Sequence, residues 1–153
     1  MKTPRFYLDT SVFGGYFDPE FEHATRRLFE QILDKQFIPV VSDIVVVELI
    51  KAPQCVQDML ANTDIEWQRV VETAEAISLA HAYINAGILG AKWLDDCRHV
   101  AVATINAADM IISWNFRHIV HYDKIRAFNE VNISKGYQSM EIRSPSEVIS
   151  YDE

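Results

Sequence analysis

The sequence has little of what marks disordered, fibrous or disulfide-rich proteins. Only 5 of its 153 residues are glycine, 5 are proline and 2 are cysteine, while 49% are hydrophobic. This composition excludes a low-complexity or collagen-like chain. Cys55 and Cys97 are too few for a disulfide framework and lack the Cys-x-x-Cys spacing of zinc and redox sites. We therefore expect a globular protein of the reducing cytoplasm.

Long apolar runs and several catalytic motifs are also missing. No stretch approaches the roughly 20 apolar residues that span a bilayer, and the N-terminus lacks the apolar segment of a signal peptide. The chain has no His-Glu-x-x-His motif and no Gly-x-Ser-x-Gly motif, and Gly14-Gly15 lacks both the P-loop lysine and the dinucleotide-binding fingerprint. We expect no membrane association and no chemistry of these motif classes.

Positive charge is scarce, since 14 basic residues stand against 22 acidic ones for a net charge of −8. Proteins that bind nucleic acid through electrostatics alone are normally basic, because phosphate contacts supply most of their affinity. An acidic chain that acts on RNA therefore needs metal ions at the phosphate. The balance turns positive between Met110 and Arg143, which is either a binding patch or chance clustering on a solvated face.

Short apolar runs alternate with longer segments of helical periodicity, which predicts an α/β protein. The length predicts one domain over residues 1–153. Because brief, continuous apolar runs are typical of buried parallel strands, we expect a three-layer α/β/α sandwich with a central parallel sheet. Strands are predicted at residues 6–8, 37–41, 110–114 and 140–143, and helices are predicted to begin at Asp18, Ser42, Pro53, Thr73, Trp93 and Ile125.

Polar side chains fall where the predicted strands end. Asp9 directly follows the first strand, and Asn115 follows the third. Glu48 and Asp96 lie on helices that begin near the same edge of the sheet. Sites in open parallel sheets lie outside the carboxyl ends of the strands, so these four residues are the candidates for a site.

Each acid also has a local structural explanation. Asp9 could cap a turn, Glu48 could pair with Lys51, and Asp96 beside Asp95 could be a first-turn acid favoured by the helix dipole. If the carboxylates converge, however, they repel one another unless a cation neutralises them. Oxygen ligands suit Mg²⁺ or Mn²⁺, and such an ion polarises a phosphoryl oxygen and activates water. The pattern therefore favours metal-dependent phosphodiester hydrolysis.

Four short segments carry a family resemblance: residues 7–12, Ser42 with Glu48-Leu49, residues 96–104 and residues 108–116. In order and spacing they resemble the PIN domain, the nuclease fold of VapC-like toxins in bacterial and archaeal toxin–antitoxin pairs. Each segment is short, but the order and spacing of the four cover nearly the whole chain, which makes the match specific. The resemblance implies metal-binding roles for Asp9, Glu48 and Asp96, with Ser11 and Ser113 as supporting hydroxyls.

Asn115 departs from the pattern of many PIN domains, which have a further aspartate there. Residues 113–118 resemble a PIN subgroup that has asparagine at this point. An amide offers a carbonyl oxygen without a charge, so Asn115 is expected to complete the metal shell directly or through water. Asp109 does not replace the missing acid, because it precedes the predicted strand rather than following it.

The resemblance also implies a substrate and partners. It implies an endoribonuclease that cuts RNA with Mg²⁺ or Mn²⁺, is neutralised by a small cognate antitoxin protein and forms a homodimer. His99 is expected to be a hydrogen-bonded, half-buried histidine rather than a phosphate contact. Candidates for contacting the RNA backbone beyond the metal are Arg117, His118, Lys124 and Arg126.

Two other functions are open at this point. A non-catalytic PIN module would bind RNA or a protein partner, and the uncharged Asn115 favours it. A small-molecule phosphohydrolase would use Asp9 as its nucleophile, but that mechanism usually has a second acid two residues on, where this sequence has Ser11. Binding of Mg²⁺ distinguishes the nuclease from the binding module, and phosphorylation of Asp9 would identify the phosphohydrolase.

Overall fold

The computed structural model describes residues 2–151, which are built around a sheet of five strands. The strands are β1 Arg5–Leu8, β2 Ile38–Ser42, β3 Gln68–Val70, β4 Met110–Ile112 and β5 Glu141–Arg143. Their order across the sheet is β3-β2-β1-β4-β5, and every neighbouring pair is parallel. The predicted α/β class and parallel sheet are therefore confirmed.

Helices cover both faces of this sheet. They are α1 Thr10–Gly15, α2 Glu22–Leu33, α3 Asp43–Leu49, α4 Gln54–Leu60, α5 Ala74–Asn85, α6 Leu94–Ile105, α7 Tyr122–Ser134 and α8 Pro145–Val148. Alternate strand residues point to opposite faces. Tyr7 and Ile111 are buried in a core with α5, α6 and α7, whereas Leu8 and Ile112 are buried in a second core with α1, α2 and α4. One core lies on each face of the sheet, so the sheet is the middle of three layers, with helices on both sides.

Several boundaries differ from the prediction for local reasons. The apolar run expected to form a strand to Trp114 is extended only to Ile112, because the Ser113 hydroxyl then donates to Asp9 and the Trp114 backbone N–H donates to Ser11 at the start of α1. Helix α2 begins at Glu22 rather than at Asp18, whose carboxylate accepts from the Glu20 N–H in a preceding turn.

Three elements were not predicted. Strand β3 is three residues long and has no apolar run, so it carries no strand signal in isolation. Helix α1 contains Gly14 and Gly15, which disfavour a helix, and α8 spans one turn that begins at Ser144 with a capping box. Across residues 2–151, no helix combines the length and the apolar character needed to cross a membrane.

Candidate active site

The carboxyl ends of β1 and β4 lie side by side, and this places Asp9 next to Ser113. The Asp9 side chain is a buried carboxylate, 3% exposed. Ser11 Oγ donates to its Oδ1 and Ser113 Oγ donates to its Oδ2, each at 2.5 Å. The two serine oxygens in turn accept the backbone N–H groups of Trp114 and Asn115 at 2.9 Å. Asp9 is thus held by two serine hydroxyls, which are themselves oriented by backbone N–H groups just after β4.

Burial raises the pKa of Asp9, although the nearby His99 and the two serines act in the opposite direction. The charge of Asp96 adds to the increase in the pKa. Asp9 is therefore an acid whose ionised form depends on neighbouring positive charge.

Glu48 lies on α3 with its side chain 34% exposed. Its Oε1 accepts from Thr10 Oγ1 at 2.9 Å and bonds His99 Nε2 at 2.5 Å. Burial raises the pKa of Glu48, but the bond and charge of His99, the Thr10 hydroxyl and the charge of Arg98 together outweigh it, so the pKa is lowered overall. Glu48 is thus ionised near neutral pH, and its partner is a histidine from α6 rather than Lys51.

His99 is more deeply buried than predicted, at 3% exposure, and its predicted hydrogen bonding is confirmed. Its Nδ1 bonds the Tyr7 hydroxyl at 2.7 Å, and that hydroxyl bonds Ser42 Oγ at 2.8 Å. Burial lowers the pKa of His99, yet the bond to Glu48 and the surrounding acids raise it overall. A polar chain therefore crosses the core from the end of β2 to Glu48.

Asp96 lies in the first turn of α6 with its side chain 22% exposed. Its Oδ2 bonds His118 Nδ1 at 2.9 Å, and the His118 ring packs against Trp93 with a centroid distance of 4.3 Å. The Asn115 side chain accepts the backbone N–H of His118 at 3.0 Å. Asn115 therefore stabilises the loop after β4, and it also lines the cavity described next.

A cavity of about 450 Å³ is lined by most of the polar side chains described above. Of the predicted site residues, Glu48, Asp96, Asn115, Arg117 and His118 line it, while Asp9 does not. Lys124 and Arg126 do not line it either: Lys124 Nζ donates to the Ile88 carbonyl at 2.7 Å, and Arg126 pairs with Glu130 at 3.7 Å. The lining residues are Glu48, Lys92, Trp93, Asp95, Asp96, Asn115, Arg117 and His118.

Comparisons with known proteins identify the fold. No protein-family model and no curated protein match the sequence. The structure of VapBC2 from Rickettsia felis, bound to a promoter DNA fragment, matches with a TM-score of 0.56 and 14% identity, covering 92% of this chain and 98% of that one. VapC20 of Mycobacterium tuberculosis, a sarcin–ricin loop cleaving toxin, matches with a TM-score of 0.56 and 13% identity, covering 89% and 98%. This chain has a VapC-like PIN fold.

A third match is a toxin–antitoxin complex from Klebsiella pneumoniae, with a TM-score of 0.53, 16% identity and coverage of 73% of this chain and 88% of that one. At these identities the likeness is one of fold. The chemistry of the site must therefore be argued from the side chains of this chain.

The donor atoms at the PIN-fold cavity fit a hard cation. Within residues 2–151, no group of three or more His, Cys, Asp or Glu side chains is placed so that it could hold a metal ion, so a cation here would rely on fewer protein ligands. In the same range, Glu48 Oε2 and Asp96 Oδ1 have no hydrogen-bond partner, and both residues line the cavity. Mg²⁺ typically takes one or two carboxylates and keeps several waters. Two partly exposed carboxylates beside an amide match that donor set.

Sequence reasoning missed Lys92, Trp93 and Tyr7 as members of the site. Lys92 and Trp93 lie in a 3₁₀ turn, Ala91–Trp93, that reaches the cavity only because α6 packs beside the β4 loop. Nothing in their local sequence marks them. Tyr7 could have been found, since alternation along β1 points its hydroxyl to the same face as the β2 and α6 side chains.

Proposed function

We propose that this chain is a metal-dependent endoribonuclease of the VapC-like toxin type, hydrolysing RNA phosphodiester bonds with Mg²⁺ or Mn²⁺ in the cytoplasm. The observation that carries the proposal is the pair of partly exposed carboxylates, Glu48 and Asp96, on one cavity at the carboxyl edge of a PIN-fold sheet. Asp9 lies at the same edge as a third, buried acid.

Glu48 and Asp96 would hold the cation, and the buried Asp9 would add negative charge to the site. Asn115 would orient the loop that forms one wall of the cavity. A divalent cation, when bound, supplies Lewis-acid activation of the phosphoryl group and of the attacking water. The aspartyl-nucleophile alternative is disfavoured, because Asp9 is buried and both of its oxygens already accept hydrogen bonds.

Lys92 and Arg117 support an anionic polymer as the substrate. Both line the acidic cavity, yet among residues 2–151 neither has a carboxylate within ion-pair distance. The Lys92 ammonium instead lies 4.8 Å from the centre of the Trp93 ring. Two free cations at the rim of an acid-lined cavity would hold the phosphates that flank the scissile bond. The net charge of −8 is unfavourable for binding RNA, and the positive charges of Lys92 and Arg117 offset it locally at the cavity.

We further propose a cognate antitoxin protein as a partner, and a homodimer as the working state. The matched structures include toxin–antitoxin complexes. Val47 on helix α3 and Ile50, directly after the helix, are also exposed apolar side chains close to Glu48 in the sequence. Exposed apolar residues clustered at a site are typical of surfaces that contact another protein.

RNA cleavage by the purified chain tests the proposal, with Mn²⁺, Mg²⁺ or chelator present and with Asp96→Asn beside the native protein. We expect cleavage that requires the metal and is abolished in Asp96→Asn, while the melting temperature without metal stays the same or rises because one repelling acid is gone. The matched control is Asp123→Asn, an exposed first-turn acid of α7, which should cleave normally. Cleavage that survives Asp96→Asn would place the activity elsewhere.

A catalytically weak PIN module that binds RNA or a protein partner is the second candidate. The observation that favours it is Asn115, an uncharged residue whose side-chain oxygen already accepts a loop N–H. In that case the native chain would bind RNA or antitoxin but show neither cleavage nor Mn²⁺ binding.

A further inference from the structure

Two of the three cavity acids, Glu48 and Asp96, are each held by an imidazole on one carboxylate oxygen, whereas the third, Asp95, is bonded by Arg98. His99 Nε2 lies 2.5 Å from Glu48 Oε1, and His118 Nδ1 lies 2.9 Å from Asp96 Oδ2. The second oxygens, Glu48 Oε2 and Asp96 Oδ1, have no hydrogen-bond partner within residues 2–151. The two acids therefore share an arrangement although they come from different helices.

His99 is itself held rigidly. Its other ring nitrogen bonds the Tyr7 hydroxyl, which is fully buried and bonds Ser42 at the end of β2. An ionised carboxylate can only accept, so Nε2 is the donor to Glu48 whichever way the Tyr7 hydroxyl points. His99 does not line the cavity, so its hydrogen-bonded link to a ligand there runs through Glu48.

His118 is held by different means. Its ring packs against Trp93, and its backbone N–H donates to the Asn115 side chain. These contacts direct Nδ1 at Asp96 from the loop after β4. The spacing between Glu48 and Asp96 thus depends on two imidazoles anchored in separate parts of the fold.

We infer that His99 and His118 are positioning residues, each fixing the orientation of one cavity acid and leaving its second oxygen available to a divalent cation. This inference rests on the proposed function, because it assigns the free oxygens to the metal. It moves His118 from the RNA-contact candidates to the support of Asp96. Loss of such an outer partner typically costs about 10–100-fold in metal affinity or activity.

Amide substitutions at the two histidines test the inference. The side-chain nitrogen of glutamine falls near the position of an imidazole Nε2, and that of asparagine near Nδ1. His99→Gln and His118→Asn should therefore retain Mn²⁺ binding close to that of the native chain. The reversed pair, His99→Asn and His118→Gln, should weaken Mn²⁺ binding by about 10–100-fold. A purely structural role would not discriminate between the two amides in this crossed manner.

The measurement is calorimetric titration of the purified full chain with Mn²⁺ in the absence of RNA, followed by RNA cleavage and thermal unfolding of every variant. The exposed His121, changed to asparagine and to glutamine, is the matched control and should bind like the native chain. If His99→Asn fails to fold, the His118 pair still decides the result. Equal Mn²⁺ affinity in all folded variants would overturn this inference alone, whereas a native chain that binds no Mn²⁺ would overturn it together with the proposed function.

Discussion

Two aspartates flank the central strands at opposite ends of the sheet, and they differ in burial and in hydrogen-bond partners. Asp9 follows β1 at the carboxyl edge, where it is buried and both oxygens accept from serine hydroxyls. Asp109 precedes β4 at the amino edge, where it is exposed and accepts the Arg5 backbone N–H at 2.7 Å. Strand direction therefore decides which acid meets the helix-borne acids and which one satisfies a backbone group.

The largest expected effect comes from removing the charge of Asp9, with the same change at Asp109 as the comparison. Asp9→Asn should lower RNA cleavage by about 100-fold, because the site loses its innermost acid. Asp109→Asn, at the amino edge, keeps an oxygen acceptor and should change cleavage by no more than about twofold. Initial rates with Mn²⁺ measure both, and similar losses in the two variants would contradict the distinction between the edges.

Asp9→Asn should also be at least as stable as the native chain near neutral pH. Burial raises the pKa of Asp9 above its unfolded value, so stability from this group is fully present below the unfolded pKa and lost as pH rises through the folded pKa. Asparagine removes this dependence. Urea unfolding without metal measures it, and a large loss of stability would show that the carboxylate is needed for folding.

The next effect concerns the packing that holds the carboxyl-edge loop. A Cβ added at Gly15 would lie 2.6 Å from Trp114 Nε1, which donates to Thr25 Oγ1 at 2.9 Å. Gly15→Ala should therefore displace Trp114 and destabilise the chain by about 1–3 kcal/mol. Gly14→Ala is the matched control: its Cβ meets no atom within 4 Å, and it should stabilise by about 0.5–1 kcal/mol. Equal melting temperatures for the two variants would rule out this account of the loop.

A smaller effect is expected at the rim of the cavity. Lys92→Gln and Arg117→Gln should each weaken RNA binding several-fold. Each should also reduce the slope of log affinity against log salt concentration by about 0.7 in magnitude, as expected when one phosphate contact to a single strand is lost. Arg126→Gln, away from the cavity, should change neither quantity. Fluorescence anisotropy with chelator present, at several salt concentrations, measures both. An unchanged salt slope in all three variants would exclude phosphate contacts at the rim.

The smallest effect belongs to the amino edge. Asp109→Ala removes the acceptor for the exposed Arg5 N–H, and water can replace it. We expect a loss of no more than about 1 kcal/mol in the free energy of unfolding, with cleavage unchanged. A loss of cleavage in Asp109→Ala would mean that the two ends of the sheet are coupled.

Prediction from sequence succeeded where the signal is local. The apolar runs of β1, β2 and β4 identify a parallel sheet, and Asp9 follows β1 without any intervening residue. It failed where the signal is not local. Strand β3 has no apolar run and exists because β2 offers it a hydrogen-bonding edge. The 3₁₀ turn with Lys92 and Trp93 is likewise ordinary in sequence and matters only through what it packs against.

By itself, the sequence determined the fold class, the strands at its centre and the residues at their carboxyl ends, because apolar periodicity and strand direction are properties of the chain itself. Only the tertiary structure decided how those residues are used. It paired Glu48 with His99 and Asp96 with His118, buried Asp9 outside the cavity lining and, within residues 2–151, left Lys92 and Arg117 at the cavity without an ion-pair partner. Such pairings bring α3 to α6 and α6 to the loop after β4, and contacts between distant segments leave no periodic signal in the sequence.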